Sequence, residues 1–131
     1  MRKRVVKIKS AESIIKGELL IADNEITLLY DQNRIVKKGE YAFFILMEIR
    51  EELEKVNMFM LINGSRKDVY PSGMTAVGHM AYIQTLDKST LREDLVNIFD
   101  ETNEHDLIGT VVEQKNYHQE WVDSILRKTG P

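Results

Sequence analysis

The sequence contains no cysteine, and only two of its 131 residues are proline. Without cysteine the chain can form neither a disulfide nor a thiolate metal site, and that composition fits the cytosol. The scarcity of proline leaves no proline-rich linker and no candidate domain boundary. A chain of this length is typical of one domain with one core, so we expect a single domain over residues 1–131.

Long hydrophobic runs are also missing. The longest apolar run, Tyr41 to Met47, is far shorter than the roughly 20 residues of a membrane-spanning helix. The basic start, MRKRVVKIKS, has no apolar stretch of the kind that a signal peptide needs. We therefore expect a cytoplasmic protein that has no membrane partner.

The signature of a nucleotide-binding loop is absent. The stretch NGSRKDVYPSGM lacks the Gly-Lys-Ser/Thr sequence with which a P-loop surrounds phosphates. A looser anion site remains open, because a glycine at a strand end is followed here by Ser65, Arg66 and Lys67. Metal signatures are absent as well: the three histidines show no HxH or HExxH spacing, and only Glu104-His105-Asp106 groups hard ligands. We expect no metal and no cofactor.

Charge is unevenly distributed along this chain of net charge -3. The first ten residues carry five bases and no acid, whereas residues 91–131 carry nine acids and four bases. The basic end has no interleaved aromatic, and the pI is about 5.6, so we expect no nucleic-acid partner. Four acids lie close together in the sequence: Asp100, Glu101, Glu104 and Asp106. They form either an ordinary solvated surface or a patch that attracts a basic partner.

Hydrophobic periodicity predicts an α+β fold, a single domain with a mostly antiparallel sheet packed against about three helices. RVVKIK alternates and predicts an edge strand whose lysines face water. Apolar clusters on both sides of DNE predict a hairpin, and NRIVKKG predicts a third strand. MFMLIN predicts a strand buried on both faces, and MAYIQTL and LIGTVVEQ predict two more strands.

Three segments predict helices. In GEYAFFILMEIREELEKVN apolar residues recur at steps of three and four, and Glu51 and Lys55 are spaced for an ion pair. In KSTLREDLVNIFDET, Thr90 and Glu93 have the spacing of a capping box. In KNYHQEWVDSILRKTG, Trp121 belongs to the apolar face and Gly130 could cap the C-terminus.

The segment Ile62–Thr85 is the candidate functional loop. Two roles are open for it, catalysis and protein recognition. Asp68, Tyr70, Ser72 and His79 could converge as a catalytic set, although no Gly-x-Ser-x-Gly elbow is present.

Protein recognition is the other role for this loop. Arg66, Asp68 and Tyr70 suit an interface, because exposed Tyr and Arg dominate binding hot spots. Pro71 and Gly73 restrict and shape the chain next to them, which lowers the entropy lost on binding. The opposite arrangement, with Tyr70 packed on the core and Arg66 paired with Asp68, also remains open.

LINGSRKDVYPSGM, followed by AYIQTLDKSTLREDLVNIFDE, resembles a group of small bacterial immunity proteins from interbacterial toxin systems, including contact-dependent growth inhibition. ITLLYD and IREELEK are similar too, so the likeness covers roughly residues 18–122. The relatives have glycines between Met and Ala-Tyr where this chain has TAVGHM, which departs from the pattern.

The resemblance implies a non-enzymatic inhibitor that stays in the cytoplasm and binds a toxin domain. Such toxins are often nucleases with basic clefts, which an acidic surface would attract. The resemblance brings no catalytic residues with it. The alternatives are a small enzyme that uses the Asp68–His79 loop and a ligand-binding regulatory module with a deep pocket. Partner contacts are expected at Arg66, Asp68, Tyr70, Asp100, Glu101, Glu104 and Asp106.

Overall fold

The computed structural model describes residues 1–129. Its elements, in chain order, are β1 (Arg2–Lys9), β2 (Ile14–Ile21), β3 (Glu25–Tyr30), β4 (Asn33–Lys38), α1 (Ala42–Glu54), β5 (Phe59–Met60), β6 (Val69–Tyr70), β7 (Met80–Ile83), β8 (Leu95–Asn97) and α2 (Val111–Thr129). Single turns of 3₁₀ helix cover Asn63–Ser65, Thr75–Val77, Arg92–Asp94 and His105–Leu107. The predicted α+β class is confirmed, with two α-helices in the described residues rather than about three.

The first sheet has five antiparallel strands in the order β4-β3-β2-β1-β5. The predicted hairpin around DNE is the β2–β3 pair, and the predicted third strand is β4. The prediction that RVVKIK is an edge strand is wrong, because β5 adds to the other side of β1 at Ile8 and Lys9. The alternation itself is confirmed: Val6 and Ile8 are buried, and Lys7 and Lys9 face water.

Helix α1 covers one face of this sheet. The middle of the predicted apolar stripe is confirmed, since Ile45, Leu46, Ile49 and Leu53 are completely or almost completely buried. They pack into one core with inward residues of β1, β2 and β3. The two ends of the predicted stripe, Tyr41 and Val56, are exposed. Lys55 does not pair with Glu51 as its spacing predicted. Its ammonium lies 2.9 Å from Glu52, one residue closer along the chain, in the i,i+3 arrangement.

The second sheet has three antiparallel strands in the order β6-β7-β8. The predicted strand MAYIQTL is β7, but the predicted helix KSTLREDLVNIFDET is wrong, because its centre is β8. The backbone next to β8, at Ile98, makes hydrogen bonds to two different segments of the chain. Ile98 donates to His79 O at 2.9 Å, and the Gly64 amide donates to Ile98 O at 2.8 Å. A helix would give up both partners, so tertiary pairing overrides local helix propensity.

Two further predictions need correction. MFMLIN forms only a two-residue strand, β5, although Met60, Leu61 and Ile62 are buried. LIGTVVEQ is not a strand, because α2 begins inside it at Val111. The expected cap at Gly130 lies outside the described residues.

Candidate partner-binding surface

The NGS turn at the start of the candidate loop is held from below by a buried polar network. Arg50 of α1 donates to Gly64 O and Gly109 O at 3.0 Å each, and to Gln114 Oε1 at 2.6 Å. Burial lowers the pKa of Arg50 to about 10, against the opposing charges of Glu54 and Glu51, so the guanidinium stays charged at neutral pH. Its charge is met by carbonyl oxygens, which ties α1 and α2 to this turn.

Gln114 is the second centre of this network and is fully buried. Its side-chain nitrogen lies 3.0 Å from Gly64 O, 2.8 Å from Arg66 O and 3.0 Å from Val69 O. Gly64 itself has no room for a side chain, because an added Cβ would lie 2.7 Å from Leu46 Cδ2. One amide and one glycine therefore fix the path of the chain from residue 64 to residue 69.

Arg66 and Asp68 lie inside the protein. Each is 8% exposed. The two side chains form a bidentate pair, with Arg66 Nε 2.9 Å from Asp68 Oδ1 and Nη2 2.8 Å from Oδ2. Of the two arrangements that the sequence left open, the structure shows the internal pair. A partner could reach these side chains only if the loop opened, so we leave them out of the surface considered below.

Tyr70 is half-buried and belongs to a row of rings. Its ring stacks on His118 with centroids 3.8 Å apart, and it meets Phe44 edge-on at 6.1 Å. His118 in turn lies 6.1 Å from Trp121. We call Phe44, Tyr70, His118 and Trp121 the aromatic row. It crosses α1, β6 and α2, three elements that are distant in sequence but adjacent in the fold.

Polar contacts hold the α2 side of the aromatic row in place. His118 Nδ1 lies 3.0 Å from Gln84 Oε1, Tyr117 donates to Gln84 O at 2.9 Å, and Trp121 Nε1 donates to Lys88 O at 2.9 Å. Burial lowers the pKa of His118 and raises that of Tyr70. Both rings are therefore neutral at pH 7, and the stack carries no charge of its own.

The predicted acidic cluster divides into two parts. Asp100 pairs with Arg4 at 2.5 Å and Glu101 with Lys7 at 3.4 Å, so β1 partly neutralises these acids. The bonds also join β1 to the chain after β8. Glu104 and Asp106 are exposed, and neither takes part in a salt bridge with any residue in 1–129.

The loop after β6 presents apolar side chains to water. Met74 is 89% exposed and Val77 is 75% exposed. Ser72 and Thr75 bond to each other: the Ser72 amide donates to Thr75 Oγ1 at 2.8 Å and the Thr75 amide donates to Ser72 Oγ at 3.1 Å. The 3₁₀ turn that follows packs against α1. The loop is thus shaped before it meets any partner.

Three of the four residues in the catalytic alternative, Asp68, Ser72 and His79, have separate partners. The Asp68 carboxylate receives Arg66, Ser72 bonds to Thr75, and the His79 ring meets Phe99 at 5.0 Å. Burial and the nearby charges of Arg2 and Arg4 lower the pKa of His79, against the effect of Asp23. Within the described residues, no hydrogen bond joins these three side chains.

A surface cleft of about 320 Å³ lies where the end of β1 meets the start of α2. Its lining includes Lys9, Phe59, His105 and Glu113. The Glu113 carboxylate is already occupied, since it accepts the Thr110 amide at 2.8 Å. Within residues 1–129, no three side chains of His, Cys, Asp or Glu come together in a way that could hold a metal ion.

Sequence reasoning missed the aromatic row. Phe44 and Trp121 were assigned to apolar helix faces, yet Phe44 is 38% exposed and Trp121 is only half-buried. The one available signal was the spacing of His118 and Trp121, which places them on the same side of a helix. Pairing them with Tyr70 and Phe44 required the tertiary fold.

Neither helix among the described residues is both long enough and apolar enough to cross a membrane. No protein-family model matches the chain, and no curated protein sequence matches it significantly.

Proposed function

We propose that this protein is an immunity protein that binds a toxin domain in the cytoplasm and neutralises it without catalysis. The observation that carries the proposal is the loop at residues 71–78. Residues 71–74 end the motif that resembles the immunity proteins, whereas residues 75–78 depart from it, and the loop exposes Met74 and Val77 on a turn that is already shaped. Exposed apolar side chains on a rigid loop favour binding to another protein.

The buried network beneath the loop supports the same role. Arg50 and Gln114 hold residues 64–69 from two helices, so the outer loop stands on a fixed base. Rigid positioning lowers the entropy cost of association, which a stoichiometric inhibitor needs for tight binding. Apolar side chains that contact the toxin would then contribute through burial and shape.

A growth assay tests the proposal. The C-terminal domain encoded by the gene immediately upstream is expressed in a bacterial host with and without this chain. We expect growth to stop with the domain alone and to recover when the chain is co-expressed. Met74→Asp should reduce the recovery, because the carboxylate would have to be desolvated at the interface.

A matched control is Val5→Asp, which places the same charge at an exposed apolar position on β1. It should protect as well as the natural chain. The proposal is wrong if the natural chain gives no protection against an upstream domain that does arrest growth, or if the genome encodes no toxin-like domain beside it.

A further inference from the structure

The aromatic row is bordered by carboxylates on α1. Phe44, Glu48 and Glu51 are spaced by four and three residues, so they lie on one side of the helix. Both carboxylates are exposed. No salt bridge formed within residues 1–129 involves either of them, whereas Glu52 on the neighbouring side is bound by Lys37 and Lys55. Of the exposed α1 acids, Glu48 and Glu51 thus remain available to a partner.

The α2 side of the row carries positive charge. The exposed Lys115 lies one turn before His118, and Lys128, whose ammonium donates to Asp87 O at 3.0 Å, lies two turns after Trp121. His118 itself is neutral because burial lowers its pKa. The two carboxylates of α1 therefore make the α1 end of the row its acidic end. This acidic border was not apparent from sequence, which placed the acidic surface at Asp100–Asp106.

The rings are suited to cationic side chains as well as apolar ones. The faces of Trp and Tyr attract guanidinium and ammonium groups through the ring quadrupole, and arginine stacks on them readily. Phe44 at the α1 end is exposed enough to lie under such a group. A surface that joins aromatic faces to unpaired carboxylates complements a basic protein surface.

We propose that the aromatic row together with Glu48 and Glu51 is the surface on which the toxin domain docks, and that the toxin contributes arginine and lysine side chains there. This inference rests on the proposed function and deepens it by naming the contact face and the chemistry of the partner. The 3₁₀ turn of the Met74 loop packs on the same helix, α1, so the loop adjoins this face.

Kinetic binding measurements with the purified upstream toxin domain test the docking surface. Phe44→Ala and Trp121→Ala should each weaken the affinity at least about tenfold, as central aromatic residues of an interface do. Glu48→Gln combined with Glu51→Gln should slow association at least about threefold and reduce its dependence on salt, because charges around an interface act mainly on the association rate.

Two controls are matched to these variants. Val112→Ala removes an exposed apolar side chain from α2 about half a turn around the helix from Trp121. Glu104→Gln combined with Asp106→Gln removes the same charge from the surface that the sequence favoured. Both controls should bind within about twofold of the natural chain. Trp121→Ala also loses the hydrogen bond to Lys88 O, so the melting temperature of this variant is measured to detect any loss of stability. The variant with both α1 glutamates replaced removes only exposed side chains and needs no such check.

The outcomes separate the two proposals. If the natural chain binds the toxin and the row and glutamate variants bind equally well, the docking surface is wrong while the immunity function stands. The same conclusion follows if only the Glu104 and Asp106 variant loses affinity. If these variants instead disrupt a homodimer of the free chain, the row is a self-association surface and the inference is overturned. Absence of any complex with the natural chain contradicts both proposals.

Discussion

Gln114 is a residue whose importance its sequence neighbours do not reveal. It sits in a polar helix, yet it is fully buried and its amide reaches three backbone carbonyls and Arg50. Gln114→Ala would remove one hydrogen-bond partner from each of these groups inside the protein, although Arg50 would still reach Gly64 O and Gly109 O. We expect a loss of about 3 kcal/mol in the free energy of unfolding, measured by urea denaturation.

The matched control is Gln119→Ala, in the same helix. Gln119 is exposed, and within residues 1–129 its side chain bonds to Asp123 alone, at 3.0 Å. The substitution should change stability by less than about 0.5 kcal/mol. Equal effects of the two alanines would show that the buried network does not hold the loop.

His118 gives the protein a pH dependence at the residue scale. Burial lowers its pKa in the folded state below the usual 6.5, so the unfolded chain takes up the proton more readily. Stability should therefore be complete above about pH 6.5 and fall as the pH drops through the lower, folded-state pKa. The effect of His79 has the same sign.

The test is the urea midpoint between about pH 7 and about pH 5. His118→Phe keeps a ring against Tyr70 but cannot titrate, so its midpoint should fall less than that of the natural chain. If the urea midpoint of this variant fell with pH as steeply as that of the natural chain, His118 would not be the cause of the pH dependence. His79→Phe offers the parallel comparison at the second histidine.

At the scale of elements, the start of α2 shows what the sequence could and could not predict. A Thr-x-x-Glu pattern occurs at Thr90–Glu93 and again at Thr110–Glu113. Only the second is a capping box: the Thr110 amide donates to Glu113 Oε1 at 2.8 Å and the Glu113 amide to Thr110 Oγ1 at 3.1 Å. The first pattern introduces no helix, because the chain after it joins the second sheet.

This difference gives a prediction with its own control. Thr110→Ala should cost about 1 kcal/mol of stability, because it removes the side-chain acceptor at the N-terminus of α2. Thr90→Ala should cost less than about 0.5 kcal/mol, because its side chain caps no helix. Thermal unfolding of both variants checks the pair, and a larger loss at Thr90 would contradict the assignment.

Local patterns explain which elements could be predicted. The hairpin β2–β3, strand β4 and helix α1 follow from runs whose period matches their structure, so neighbours along the chain carry the signal. Strand β8 could not be found this way, since the spacing of Leu91, Leu95 and Ile98 suits a helix and the partner of β8 is β7, a separate segment of the chain. The position of β1 inside the sheet likewise depends on β5, a strand of only two residues.

The candidate surface likewise depends on contacts between distant segments, which local sequence patterns do not reveal. Composition suggested that Tyr70 and nearby acids contact a partner. It cannot tell that Arg66 and Asp68 form an ion pair inside the protein. Nor can it tell that β1 binds Asp100 and Glu101. The aromatic row exists only because three elements meet, and the unpaired Glu48 and Glu51 stand out only once their neighbour Glu52 is seen to be paired.

The whole molecule combines a loop base held by buried hydrogen bonds, an exposed apolar loop and an adjoining aromatic and acidic face. Each is a property of a protein that binds another protein without changing shape. A preformed surface should bind rapidly, and the acidic border should make that rate fall as salt rises.

Titration calorimetry of this chain with the purified upstream toxin domain tests the central claim most directly. We predict a 1:1 complex with a dissociation constant below about 1 μM, as required for a stoichiometric inhibitor at cellular concentrations. The absence of binding heat at several temperatures, with both proteins folded and the toxin active, would contradict the claim that this protein is its immunity partner.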